Sequence, residues 1–494
     1  MNSKTLRTGL SLVLLAVSLA GCASYSGLNT EGVSLDAKNL KAGQSLSGVT
    51  LSPAAWPKSD WWKSLGDPQL DGLIREALRD SPDMQIADAR AHQASAAAYA
   101  ADAARMPTLD ASAGVSRSRL ARDQDPLGQG GNYATVRNIG ASFNYNFDLW
   151  GGQRDAWEAA LGQARAAEVD QQAAQLTLSA DVARAYSDLG QAHIVYDLSA
   201  EDLKRTRQML DLSQRRLSSG IDSQYQFQQT ESLEATSEAN LIDAEKRLQS
   251  AKIALAVLLG KGPDRGNEIT RPTVLKPGAV ALPSVLPAEL LGRRPDLVAA
   301  RWRVEAASKN IDAGKTQFYP NLNLSAAAGA ESLLGDAMFG SASRFFNVAP
   351  TISVPIFDGG RLRADLDSRD ADYDLAVAQY NKSLVKALGD VSDSINQLRD
   401  VGRQIAAQQH ATDIAQDSYN TVVQRYGSGI GNYLDVLSIE QQLLQAQRQL
   451  ANLNAEQIDL SIQLIQALGG GFQPEAVASA SSSSAKAAPA TLTH

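Results

Sequence analysis

The side chains most often used for nucleophilic, redox or metal chemistry are nearly missing from this 494-residue chain. It has one cysteine, Cys22, and four histidines, His92, His193, His410 and His494, no two of which share a helix turn. That pattern excludes a disulfide scaffold, a Cys₄ or Cys₂His₂ zinc site and a sequence-local Cys–His nucleophile pair. Glycine-rich stretches such as Gly427-Ser428-Gly429 lack the lysine and hydroxyl residue of a phosphate loop, and they adjoin helices rather than a strand. With no nucleophile elbow or clustered carboxylate pair either, neither an enzyme, nor a metal, nor a cofactor is expected. Lys+Arg 46 against Asp+Glu 54 gives a net charge of -8, the wrong sign for a general nucleic-acid binder. What remains is one thiol that could be acylated and a set of carboxylates whose work depends on where the fold places them.

The thiol has a recognisable setting. Lys4 and Arg7 give a positive start, Leu10 to Ala20 an apolar stretch, and Leu19-Ala20-Gly21-Cys22 follows directly. Eleven apolar residues are too few to span a bilayer, so residues 1–21 read as a cleaved signal. Leu-Ala-Gly-Cys resembles the lipobox of bacterial lipoproteins. That resemblance implies cleavage before Cys22, which would then carry N-acyl and S-diacylglycerol lipid, with Ala23 compatible with sorting to the outer membrane. No other run is long and apolar enough for a spanning helix, so any further crossing must be made by strands.

The elements that position everything else are written twice. Pro82 and Pro295, like Pro107 and Pro320, are 213 residues apart; Phe147-Asp148 and Phe357-Asp358 are 210 apart. Ser219-Gly220-Ile221 and Ser428-Gly429-Ile430, like Leu259-Gly260 and Leu468-Gly469, are 209 apart. Such offsets indicate a duplicated unit with small indels in loops. Length alone suggests about three domains; the repeat instead divides the chain into an N-terminal segment 22–66, a first repeat 67–260, a linker 261–294, a second repeat 295–471 and a tail 472–494. The linker region through Pro295 holds six of the 17 prolines, and the tail is Ala/Ser-rich.

Each repeat predicts a proline-started helix (82–106 and 295–318), two strands, a very long helix (151–218 and 359–426), a glycine turn and a last helix (223–259 and 432–468). The strands, at about 108–117, 138–147, 321–330 and 346–356, alternate apolar and polar residues over about ten positions, enough for a tilted strand to cross a bilayer. A soluble hairpin with one buried face would alternate in the same way. Phe147, Trp150, Phe318, Tyr319 and Phe357 fall at strand ends nearest the long helices, as a membrane-interface girdle would. Four strands cannot close alone, and lipid-facing strands must be closed, so a membrane reading requires oligomerisation. The helix 151–218 would run roughly 100 Å. The last helix carries a coiled-coil seam, Ile439, Leu443, Ala446, Leu450, Leu453, Gln457, Leu460, Leu464 and Ala467. Its counterpart in the first repeat runs from Leu241 to Leu258 and turns polar toward the tip at Thr230, Glu234 and Ser237, where splayed or wetted helices are expected.

These features, together with Trp61-Trp62, Gly66-Asp67-Pro68-Gln69-Leu70 and Ala467-Leu468-Gly469-Gly470-Gly471, resemble the outer-membrane factor family. These are the OprM- and TolC-like channels of tripartite resistance-nodulation-division efflux pumps, in the lipoprotein branch. The resemblance implies a mainly α fold with membrane β structure. A homotrimer would pool four strands per chain into a twelve-stranded barrel in the outer membrane, continued by a long α-helical coiled-coil barrel through the periplasm. Its implied partners are a periplasmic adaptor (membrane fusion) protein, an inner-membrane proton-driven transporter that supplies the energy, and outer-membrane lipids.

In that family the two helix-turn-helix tips dock the adaptor and close the periplasmic entrance. They map to Ser219, Gly220 and Ile221, and to Ser428, Gly429 and Ile430. The implied gate is Tyr426 as the lock tyrosine, Leu434 as an apolar constriction and Asp435 as a ring carboxylate. Ser438 stands at the second acidic position, Gly431 and Gln441 where arginines are usual, and Gln226 where an inter-helix acid is found. The lock is therefore expected to be weaker, or to use Asp222 and Arg425. The function implied is passive conduction of drugs or other small molecules. A type I protein-secretion duct and a non-conducting coiled-coil lipoprotein are the alternatives.

Overall fold

The computed structural model describes residues 24–36, 39–40, 51–52, 56–119, 121, 131, 133–273, 282–283, 292–333 and 338–473. The signal segment, Cys22, much of the 261–294 linker and residues 474–494 lie outside them. The chain forms two compact units. One is drawn from Met1–Ser34, His92–Ala167 and Ala300–Tyr380, the other from Leu35–Ala91, Glu168–Ala299 and Asn381–His494.

The helices are α1 (Pro68–Asp80), α2 (Pro82–Ala103), α3 (Gly152–Ser218), α4 (Gln224–Leu258), α5 (Pro295–Thr316), α6 (Arg361–Gly427) and α7 (Tyr433–Ala467). The lengths recur: 22 residues for α2 and α5, 67 for α3 and α6, and 35 for α4 and α7. Both proline-started helices stop earlier than the sequence predicts, at Ala103 rather than 106 and Thr316 rather than 318, in turns that precede Pro107 and Pro320. A residue ahead of proline is pushed out of the α region, and the turn begins before it. The repeated Phe-Asp pairs have a local job. Asp148 accepts from the backbone N–H of Gln153 (3.0 Å) and Arg154 (2.9 Å), and Asp358 from Gly360 (3.0 Å) and Leu362 (2.8 Å), which satisfies donors at the starts of α3 and α6.

The first unit carries the sheet, β1 (Thr108–Arg119), β2 (Tyr133–Phe147), β3 (Asn321–Leu333) and β4 (Arg344–Ser353), antiparallel in the order β1-β2-β3-β4. β2 starts at Tyr133 rather than 138, because Thr135 and Arg137 continue the ladder opposite Arg117 and Val115 although they break the apolar alternation. β4 ends at Ser353 rather than 356, just before Pro355, which has no N–H to offer a ladder. The apolar face is bare: Leu109 is 74% exposed and Phe346 88%, with Val115, Val348 and Ile352 also exposed. No described residue of the chain covers that face, as a hairpin burying one face within its own chain would require. The helical part of this unit packs through small contacts and cations over rings. Ala306 closes on Gly162, Arg165 lies 4.6 Å over Trp302, and Arg105 lies 4.9 Å over Trp157.

The second unit has the larger core. Trp61, Leu65, Leu70, Ile74 and Ala77 meet Tyr186 and Leu189 of α3, Leu255 of α4 and Ile462 of α7. Asp67 organises it: its carboxylate caps α1 at Gln69 N (2.8 Å) and accepts from the Tyr186 hydroxyl (2.7 Å) and Thr273 Oγ1 (2.6 Å). Burial works against that charge, but the Thr273 and Tyr186 hydrogen bonds hold its pKa below the usual carboxylate range. The Gly66-Asp67-Pro68-Gln69-Leu70 motif is thus a clamp between α1, α3 and residues past α4.

The seam also differs from expectation. Thr230 and Ser237 are fully buried rather than splayed, and Glu234 accepts from Arg207 at 2.9 Å. Thr230 Oγ1 sits 2.6 Å from the Tyr433 hydroxyl and 2.9 Å from the Gln226 carbonyl, so polar packing replaces apolar packing there. On α7 the buried stripe shifts near the tip to Tyr433, Val436, Glu440 and Leu443.

Candidate functional site

The two helix-turn-helix tips both lie in the second unit. Two residues past the end of α3 Gly220 has φ 72°, and two past the end of α6 Gly429 has φ 79°. Each end is closed by the same pair of bonds: Ile221 N to Arg216 O (2.9 Å) with Gly220 N to Leu217 O (3.0 Å), and Ile430 N to Arg425 O (3.0 Å) with Gly429 N to Tyr426 O (3.0 Å). This is the Schellman arrangement, which takes a left-handed residue after the last helical turn. A Cβ at either glycine would meet nothing within 4 Å, so backbone conformation and not space selects glycine. Ser219 and Ser428 are exposed, and Ile221 and Ile430 are 63% and 76% exposed, two apolar side chains offered to solvent at matching places.

Beneath the tips Tyr426 is buried, and its hydroxyl donates to Asp222 Oδ2 at 3.3 Å. Arg216 completes the group, 3.0 Å from Asp222 Oδ1 through Nε and 4.6 Å over the Tyr426 ring. Burial first, and then the Asp222 charge, push Tyr426 up to about 12, so its hydroxyl keeps its proton and stays a donor. Asp222 does contact Tyr426, but its ion-pair partner is Arg216, whereas Arg425 is exposed. An arginine at Gly431 would force this turn to shift, since a Cβ there would lie 2.9 Å from Tyr426 N. Gln226 is the far half of a capping box, its Oε1 accepting from Ser223 N at 2.8 Å, a task an acid would also perform.

Tyr433 and Val436 point into a small core with Met209 and Tyr426, which leaves Leu434, Asp435 and Ser438 exposed on the other side of α7, with Gln441 beyond them. One turn further in, Glu440 is 3% exposed, and its Oε1 lies 3.3 Å from Arg205 Nε. Asp202 Oδ1 is 3.9 Å from Arg205 Nη2, and the guanidinium lies 5.5 Å from the Tyr419 ring centroid. Sequence reasoning missed both Arg216 and this cluster. The signal for the second was present: Glu440 is a charge inside the stripe Tyr433, Val436, Leu443.

At the sheet's helical end, Trp150 stacks on Tyr319 at 4.9 Å and donates Nε1–H to Pro320 O at 2.8 Å. Tyr25 reaches Tyr319 with its hydroxyl (3.0 Å), and Arg363 donates to the carbonyls of Ser24 and Ser26, pinning the chain just after Cys22. Phe147 pairs with Tyr145 (4.8 Å), and Phe357 is 89% exposed. Phe318 departs from the girdle reading. It is buried with Ile311, Leu362 and Leu366 and serves as core.

Among the described residues no three His, Cys, Asp or Glu side chains are grouped to hold a metal, and no helix is long and apolar enough to cross a membrane. A family model described as outer membrane efflux protein matches residues 73–261 and 286–470. The fusaric acid resistance protein FusA of Burkholderia cepacia is 38% identical over 380 residues, covering 75% of this chain and 71% of that protein. The pyoverdine export outer membrane protein OpmQ of Pseudomonas aeruginosa is 30% identical over 478 residues, covering 94% and 97%. The crystal structure of the outer membrane protein VceC from Vibrio cholerae is similar with a TM-score of 0.77 at 35% identity, covering 85% of this chain and 100% of that one.

Proposed function

Since the chain belongs to the outer membrane efflux protein family, we propose how its parts divide the work of an outer-membrane efflux channel. The family is one of transport ducts, and its channels are trimeric and operate with other efflux-pump components. The single observation that carries the division of labour is the bare apolar face of an antiparallel sheet whose edge strands, β1 and β4, have no outer partner among the described residues. Lipid tolerates such a face only where every strand edge is closed. Three copies supply twelve strands, enough to enclose a pore. The lipid on Cys22 then enters that same membrane, since residues 24–26 are pinned at the helical end of the sheet by Arg363 and by the Tyr25–Tyr319 contact.

The duct itself holds no energy source. An inner-membrane proton-driven transporter joined by a periplasmic adaptor supplies it, and the adaptor's helices seat on the exposed Ile221 and Ile430 tips. At rest the Arg216–Asp222–Tyr426 group holds the two hairpins together, while Leu434 and Asp435 of three copies converge at the entrance. Opening breaks that group. The cargo is small organic compounds, the class named for the relatives FusA and OpmQ. Deleting the gene should raise susceptibility to small toxic compounds and leave the profile of secreted proteins unchanged; the opposite result would make the chain a protein-secretion duct.

A further inference from the structure

We propose that Arg117, Arg119, Arg137 and Arg344 form a band that seats phosphorylated lipid headgroups of the outer leaflet. The inference rests on the reading that the sheet lies in the outer membrane with its turn end outward.

The strand register places Arg117, Arg119 and Arg137 together on β1 and β2, with Arg344 on the same face two strands away, level with Ile139. Arg117 pairs with Thr135, Arg119 with Tyr133, Val115 with Arg137, and Ala330 with Arg344. Residues directly opposite each other in an antiparallel pair share a face. Val115, Ile139, Ala330 and Phe346 belong to the apolar face, so all four arginines belong to it too. The acids of the strands fall on the other side: Asp110 pairs with Ser142 and Asn138 with Glu331, both in the alternate register. Among the described residues the lipid-facing surface therefore carries four arginines and no carboxylate.

Their height is set by the strand itself. Between Arg137 and the helical end of β2 lie Ile139, Ala141, Phe143, Tyr145 and Phe147, all on that face. A strand tilted near 45° crosses the hydrocarbon in about 9–11 residues. Phe147 and Trp150 then stand at one interface, and Arg137 emerges at the other, where headgroup phosphates begin. All four arginines are exposed. Arg117 leans 5.3 Å over the Tyr133 ring, and Arg119 Nε donates to Gly131 O at 2.9 Å, contacts that orient each guanidinium. Arg117 and Arg137 are diagonal neighbours on adjacent strands, about 7–8 Å apart at Cα, a spacing at which two forks can grip one phosphate. A mere snorkelling cation would be served as well by lysine, whereas bidentate phosphate binding favours arginine at each place.

The test uses the purified full-length protein in neutral detergent, titrated with bisphosphoryl lipid A, monophosphoryl lipid A and inorganic phosphate. The readout is lipid retained by native mass spectrometry together with the thermal midpoint of the oligomer. The expected order is bisphosphoryl above monophosphoryl lipid, with no effect of inorganic phosphate at the same concentrations. Neutralising substitutions to Gln should weaken lipid binding roughly fivefold per arginine removed. If all four together impair folding, the pair R117Q/R137Q gives the same comparison. Equal lipid retention by wild-type protein and either variant would overturn the proposal, and so would inorganic phosphate matching the lipid. Planar-bilayer conductance of the same samples should be unchanged by these substitutions. An absence of conductance in wild-type protein would speak against the channel reading, whatever the lipid result.

Discussion

At the residue scale the tip combines three kinds of polar contact, and each answers a different question. Asp435 is exposed beside Leu434, and in the proposed entrance threefold repetition would concentrate its charge. Asp435→Asn should lower cation selectivity, read as a smaller reversal potential in a salt gradient; an unchanged potential contradicts the ring. Glu440 is of the opposite kind, a carboxyl held away from water. Burial pushes it up to about 7 from the ordinary 4.5, and Arg205 only partly offsets this. The packed tip therefore binds the Glu440 proton more tightly than a hydrated, opened tip would. Its stability is greatest at the acidic end of the window between those two values and is lost as pH rises through about 7, by up to tenfold per pH unit. Between about pH 5 and pH 8 open probability should rise with pH in wild-type channels and stay flat in Glu440→Gln. An identical slope in both would show that Glu440 does not control the tip. The third contact, Arg216 with Asp222 and Tyr426, was only half legible. Asp222 stands beside a glycine turn that repeats, whereas its cation lies six residues upstream, across a bend no helical period describes.

At the element scale the duplication does most of the positioning, because equal helices bring equivalent turns to one end of the second unit. Those turns depend on a left-handed residue. Gly429→Ala should destabilise its tip by about 1 kcal/mol. The measurement is amide exchange at Ile430 and Gly431, both of which donate to Arg425 O; unaltered protection would show that the turn tolerates a Cβ. Helix lengths, strand alternation and turn positions were readable because periodicity and glycine placement are local properties. The fate of the first repeat's polar seam was not. Thr230 looks like a solvated position by type, and it becomes a buried one only because Tyr433, 203 residues away, brings a hydroxyl to it. Phe318 misled for a related reason: a ring at a strand end suits a membrane interface, yet Ile311 and Leu362 on neighbouring helices enclose it. The clamp at Asp67 was visible as a motif, but its partners Tyr186 and Thr273 come from distant segments.

At the scale of the whole molecule the chain is unfinished by itself. Its sheet exposes Leu109, Val115, Phe346 and Val348 together, a contiguous apolar surface that soluble monomers rarely carry. Its edge strands have no outer partner among the described residues. The family supplies the completion, a trimeric channel in the outer membrane. The division proposed for the molecule is a membrane sheet for passage, paired helices for reach and an ion-paired tip for control. Single-channel recording from the purified trimer in planar lipid bilayers tests it most directly. Discrete, cation-selective conductance steps are expected, with longer openings when Asp222→Asn breaks the contact to Arg216 and Tyr426. A correctly assembled trimer that inserts into the bilayer and yet passes no current, in wild type and variant alike, would contradict it.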